Sequence, residues 1–241
     1  MTIARLALLA FATLSLALAG TAHAQREPYG GYGAQRGGQQ QKNIAGEFDY
    51  YSLVLSWSPT YCADEGQNRR DPQCDRSRSR PYAFVLHGLW PQYERGFPEN
   101  CQTRERPFVP NNVISSMMDI MPSRGLIIHE YKKHGTCSGL SPEQYYAVSR
   151  RLYSKVVLPP RFQSADKPST ISPREVINAF VAANPGLKPE MMGVVCKRGS
   201  GNPLREVRIC LTKTGAFRDC GSNEAQRRLC AADRLYVPAA R

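Results

Sequence analysis

Histidine and tryptophan are scarce in this chain: four histidines and two tryptophans in 241 residues. None of the eight cysteines forms a C-x-x-C pair, so the ligand spacing of a zinc ribbon is absent. No G-x-S-x-G occurs, which leaves a serine-nucleophile reading without its usual elbow. No internal repeat is present. Beyond residue 19 no apolar run approaches the length needed to cross a bilayer, so no membrane anchor is expected. Acidic residues are the minority, 20 against 32 Lys and Arg, giving a formal net charge of +12, or +11 once Arg5 is removed with the leader. A basic balance of this size suits a polyanionic partner such as RNA, DNA or an anionic surface.

What is present divides into three parts. Arg5 precedes a nearly all-apolar run from Leu6 to Ala19, and Ala22-His23-Ala24 supplies the small residues of a cleavage site. Residues 1–24 therefore read as a secretory signal, and the protein is expected to be exported, periplasmic or secreted. Residues 25–45 are rich in Gly, Gln and Arg without apolar period, the composition of a flexible linker. Residues 46–241 carry the alternations expected of one folded domain. Export also decides how the eight cysteines are read, as disulfides and not as metal ligands.

Within the domain, residues 48–57 and 82–87 read as strands, with His87 expected where a central strand runs out into a loop at Gly88 and Pro91. Residues 111–121 have helical spacing with a methionine stripe, a core-packing signature. Ser141-Pro142 and Ser172-Pro173 are helix starts, each with a Gln or Glu three residues after the serine. Strands are expected again at 192–196 and 204–211. Strands and helices do not alternate one for one, so an α+β class is expected and not a doubly wound sheet.

The chemistry concentrates in two stretches. With His23 gone, the remaining histidines are His87, His129 and His134. In a helix Glu130 and His134 share one face, and His129 and Lys133 a neighbouring one. A zinc reading fails on spacing: His129 and His134 are five apart, about 140° round the helix, whereas the metalloprotease motif needs four. Acid–base chemistry on a phosphodiester fits. RNA carries its own nucleophile, the 2′-hydroxyl. Two imidazoles can take that proton and supply one to the departing 5′-oxygen, while cations steady the phosphoryl oxygens. No metal or other cofactor is called for.

Phe84-Val85-Leu86-His87-Gly88-Leu89-Trp90-Pro91 and His129-Glu130-Tyr131-Lys132-Lys133-His134-Gly135-Thr136-Cys137 closely resemble the two active-site segments of the T2 family of secreted ribonucleases, and the resemblance extends from about Phe48 to Cys230. It implies the family's α+β fold, an antiparallel sheet flanked by several helices, and a metal-independent endoribonuclease that cuts single-stranded RNA through a 2′,3′-cyclic phosphate to a 3′-phosphate. It also implies that His87 and His134 are the acid–base pair, with His134 preferred as base and His87 as acid. Glu130 and Lys133 would stabilise the pentacovalent phosphorus, His129 would bind phosphate and Trp90 would contact a base. The resemblance further implies the bridges Cys101–Cys137, Cys196–Cys230 and Cys210–Cys220, which leaves Cys62–Cys74. Gln92 stands where the family often has Asp, so weak base preference is expected, with Tyr93 and Phe97 as further candidates to stack on a base. A monomer is expected. The competing classes are a catalytically idle relative that binds RNA or a partner protein, whose mark would be a missing catalytic residue where none is missing, and a basic exported protein that binds DNA or envelope polyanions and has no need of His87.

Overall fold

The computed structural model describes residues 43–64, 71–75, 77, 81–163 and 165–240. The expected signal and all but the last three residues of the expected linker lie outside them, as do Arg76, Arg78 and Arg80. In chain order the elements are β1 (Tyr50–Trp57), α1 (Ser58–Asp64), β2 (Phe84–Gln92), α2 (Asn111–Met117), α3 (Arg124–Lys133), α4 (Pro142–Lys155), α5 (Pro160–Gln163), β3 (Ser169–Ile171), α6 (Pro173–Ala183), β4 (Met192–Cys196), β5 (Leu204–Leu211), α7 (Gln226–Leu229) and β6 (Leu235–Val237). The fold is α+β. Four antiparallel strands form the main sheet in the order β2-β1-β5-β4, and β3 pairs with β6 in a second, two-stranded sheet.

Strand β1 explains the layering. Tyr51, Leu53, Leu55 and Trp57 alternate onto the face that joins the hydrophobic core, beside Phe84, Phe162 and Phe180. Tyr50, Ser52, Val54 and Ser56 point to the other face. Helices α4 and α6 cover the core with Tyr145, Leu152, Val176 and Phe180. Each starts on a capping box, Ser141 with Gln144 and Ser172 with Glu175, in which side chain and backbone satisfy each other's free groups. Helix α2 ends at Met117, short of the expected 121, because the chain turns there; Met117 and Met121 are nevertheless buried.

Strand β2 differs from the sequence expectation in a way that matters for the site. It is an edge strand, and it continues past Gly88 and Pro91 to Gln92. An edge tolerates a proline because one side of the strand has no ladder to complete. The register against β1 slips by one residue: Gly88 faces Val54 while Leu86 faces Leu55, so His87 is the extra residue of a β-bulge. His87 and Trp90 are three residues apart, an odd spacing that would send them to opposite faces of a regular strand. The bulge puts both on the same cleft.

Four disulfides join Cys62 to Cys74, Cys101 to Cys137, Cys196 to Cys230 and Cys210 to Cys220. The second fastens the loop after β2 to the end of α3, where Asn100 N–H also donates to Lys133 O at 2.7 Å. No helix among the described residues is long and apolar enough to cross a membrane.

Candidate active site

A cleft of about 570 Å³ opens between β2, the end of α3 and the β4–β5 hairpin. Its lining includes His87, Trp90, His129, Glu130, Lys133, His134 and Glu206, so both sequence motifs meet there. Ser123 begins α3 by accepting from Leu126 N–H, and the helix runs to Lys133 with His134 as its C-cap. Glu130 and His134, one turn apart, face β2 and are buried, while His129 on the neighbouring face is exposed.

Glu130 ties the motifs together. Trp90 Nε1 donates to Glu130 Oε2 at 2.6 Å, and His87 Nε2 lies 3.5 Å from Glu130 Oε1. The Trp90 ring stacks on His134 with centroids 4.7 Å apart and 22° between planes. This packing requires Gly88: a Cβ there would fall 2.5 Å from Trp90 Nε1 and closer still to the Glu130 carboxylate. On the other side of His87, Nδ1 lies 3.2 Å from Glu206 Oε1. Arg208 donates to Glu206 Oε2 from Nε at 3.2 Å and Nη2 at 2.9 Å, and its guanidinium lies 4.8 Å from the Trp90 ring centre.

The two motif histidines are pushed apart electrostatically. Burial opposes a charge on His87, but the carboxylates of Glu130 and Glu206 overcome it and raise its pKa to about 10. Burial lowers His134 to about 4; Glu130 opposes this, while Lys133, His87 and His129 add to it. Burial likewise works against the negative charge of Glu206, yet His87 and Arg208 bring its pKa down to about 2. Glu130 is also lowered despite burial, by His87, His134 and Trp90. At neutral pH the cleft therefore holds an imidazolium at 87 and a neutral imidazole at 134.

Comparison with known proteins agrees. A sequence profile of the ribonuclease T2 family matches residues 48–220. The chain belongs to this family. This T2-family member is 38% identical over 201 residues to a ribonuclease of Aeromonas hydrophila, an alignment spanning 78% of the chain and 83% of the relative. Its fold resembles that of an RNase-related protein from Calystegia sepium (TM-score 0.59, 24% identity, 81% of this chain and 99% of that one). It also resembles a variant of RNase MC1 crystallised with 5′-UMP (TM-score 0.61, 21% identity, 78% and 98%). The protein is an endoribonuclease.

The residues expected to meet RNA are distributed unevenly in this T2 ribonuclease. His87, Trp90, His129, Glu130, Lys133, His134 and Phe97 line the cleft, Phe97 half-exposed. Lys133 Nζ lies 3.6 Å from Glu99 at the rim. Gln92 reaches the cleft but is buried, accepting from Asn223 Nδ2 at 2.9 Å. Tyr93 packs in the core, so it has no open ring face to offer a base. Glu130 is 1% exposed and engaged by Trp90 Nε1 and His87 Nε2. Sequence reasoning missed Glu206 and Arg208. The only hint was that Glu206 is the one acid in a strand that also carries Arg205 and Arg208. Among the described residues, Cys210, Cys220 and Glu224 are grouped closely enough for a metal, but the two sulfurs are bonded to each other and offer no thiolate.

Proposed function

We propose that this endoribonuclease cuts single-stranded RNA by metal-independent transphosphorylation. His134 removes the 2′-hydroxyl proton, the 2′-oxygen attacks phosphorus, and His87 gives its proton to the departing 5′-oxygen. The products are a 2′,3′-cyclic phosphate and a free 5′-hydroxyl; water then opens the ring to a 3′-phosphate with the two imidazoles in exchanged roles. The observation that supports this most directly is the opposite displacement of the two histidines, one held charged between two carboxylates and the other held neutral. His134 Nδ1 is buried without a hydrogen-bond partner among the described residues, which leaves Nε2 to meet substrate. Lys133 supplies positive charge toward the phosphoryl oxygens, and His129 an N–H donor. Glu130 organises both histidines.

The far wall of the cleft carries Lys197, Arg198, Arg205 and Arg228. Lys197 pairs with Asp64, while Arg198, Arg205 and Arg228 are exposed. Such a wall suits a polynucleotide in place of a single nucleotide. With Gln92 and Tyr93 buried and the Trp90 ring packed against His134 and Arg208, stacking on a base falls first to the exposed Phe97, an aromatic face that stacks without choosing, so base preference is weak. The apolar leader and the four disulfides support an exported protein with a signal at 1–24, a linker at 25–45 and the catalytic domain at 46–241.

The test is to digest RNA with the mature protein in excess EDTA and identify the ends by mass spectrometry. Cyclic and 3′-phosphate ends at undiminished rate are expected. Activity that vanishes in EDTA and returns with a divalent cation would remove the metal-free mechanism.

A further inference from the structure

Glu206 belongs to neither motif, yet it is the second carboxylate on His87. The placement follows from the sheet. Strand β1 separates β2 from β5, so residues on those two strands are about 10 Å apart across it. Glu206 pairs in register with Ser56, and Arg208 with Val54, so their side chains stand on the face where β1 presents Ser52, Val54 and Ser56. That shallow face lets the Glu206 side chain reach over β1 to the bulged His87, where Oε1 comes to 3.2 Å from Nδ1. Its other oxygen is held by two donors of Arg208. Glu206 is 5% exposed, and a buried carboxylate persists only where it is paired.

We propose that Glu206, clamped by Arg208, is the positioning residue of His87: it accepts a hydrogen bond from Nδ1–H, fixes the ring plane and so commits Nε2 to the proton transfer. The arrangement supplies what a neutral acceptor could not, a fixed charge that keeps the imidazolium formed between turnovers. The inference rests on the reading of His87 as general acid. Without Glu206 the bulged ring would be oriented by Glu130 alone, through the same nitrogen that must act on substrate. The charged and titratable groups around His87 are then Glu130, Lys133, His129 and His134 from α3 and its cap, and Glu206 and Arg208 from β5.

The test uses two substrates, a dinucleotide and a nucleoside 3′-(4-nitrophenyl phosphate), whose leaving group needs no proton. His87→Ala should slow dinucleotide cleavage far more than that of the nitrophenyl ester; equal losses on both would end the acid assignment itself, separately from Glu206. Given that difference, Glu206→Gln should lower kcat for the dinucleotide by at least ~10-fold with KM nearly unchanged, as expected when a general acid loses its orientation. It should spare the nitrophenyl ester and move the alkaline limb of the pH profile to lower pH. Wild-type rates and an unchanged limb in Glu206→Gln would overturn the proposal. So would recovery of full activity in Glu206→Gln/Arg208→Gln, which would trace the loss to a stranded arginine.

Discussion

Trp90 Nε1 donates to Glu130 Oε2 at 2.6 Å, and through that bond the tryptophan of the first motif is fixed to the carboxylate of the second. An indole expected to serve a base is thus also a structural member of the cluster that holds His87, Glu130 and His134. Its ring lies on His134 and its N–H holds the residue that faces His87. The cleft is one connected set of contacts, and its parts should fail together.

His87→Ala and His134→Ala should each reduce RNA cleavage by at least ~100-fold, the usual contribution of a general acid or base. Initial rates on a defined oligonucleotide measure this. Near-normal cleavage by either variant would take that histidine out of the pair.

The pH dependence follows from the two displaced values. The base must be neutral, so activity falls as pH drops through about 4, where His134 protonates. The acid must be charged, so activity falls as pH rises through about 10, where His87 loses its proton. A broad plateau of kcat/KM between these limbs is expected. Imidazole NMR titration assigns each limb to its residue, and His87 titrating below His134 would reverse the roles.

Gly88→Ala should damage the site more than the fold. The added methyl meets the Glu130 carboxylate and the Trp90 indole, both at the cleft, and breaks their hydrogen bond. A kcat loss on the order of 10-fold or more is expected, with circular dichroism close to wild type. An unaffected kcat would mean that the Trp90–Glu130 contact is dispensable.

Replacing Cys101 and Cys137 by serine frees the loop after β2 from the end of α3. The sequence separation is 36, for which the chain-entropy relation gives about 4 kcal/mol. For a domain of this size that lowers Tm by roughly 10 °C. Scanning calorimetry measures it, and an unchanged Tm would deny the bridge its anchoring role.

Arg198→Ala, Arg205→Ala and Arg228→Ala together should weaken binding of long RNA and flatten its dependence on salt, because each cation that contacts a phosphate adds roughly one unit to the slope of log K against log salt. Dinucleotide cleavage should change little. Identical salt slopes for variant and wild type would place the RNA backbone elsewhere.

The sequence by itself determined a good deal. Helix caps at Ser141 and Ser172, the alternation in β1 and the spacing of Glu130 from His134 are local properties, written in residues within one turn or one strand of each other. The two motifs named the histidines, Glu130 and Lys133 for the same reason, since each is continuous in the chain. The tertiary structure decided the rest. Strand β2 became an edge through pairing with β1, and the one-residue slip that aims His87 beside Trp90 exists only in that pairing. Gln92 is buried beside Asn223 and Tyr93 in the core, an enclosure set by distant residues. Glu206 reached His87 from 119 residues away, across the face where β1 presents Ser52, Val54 and Ser56. A contact of that kind depends on register and on the size of what lies between, and neither is carried by any local stretch of the chain.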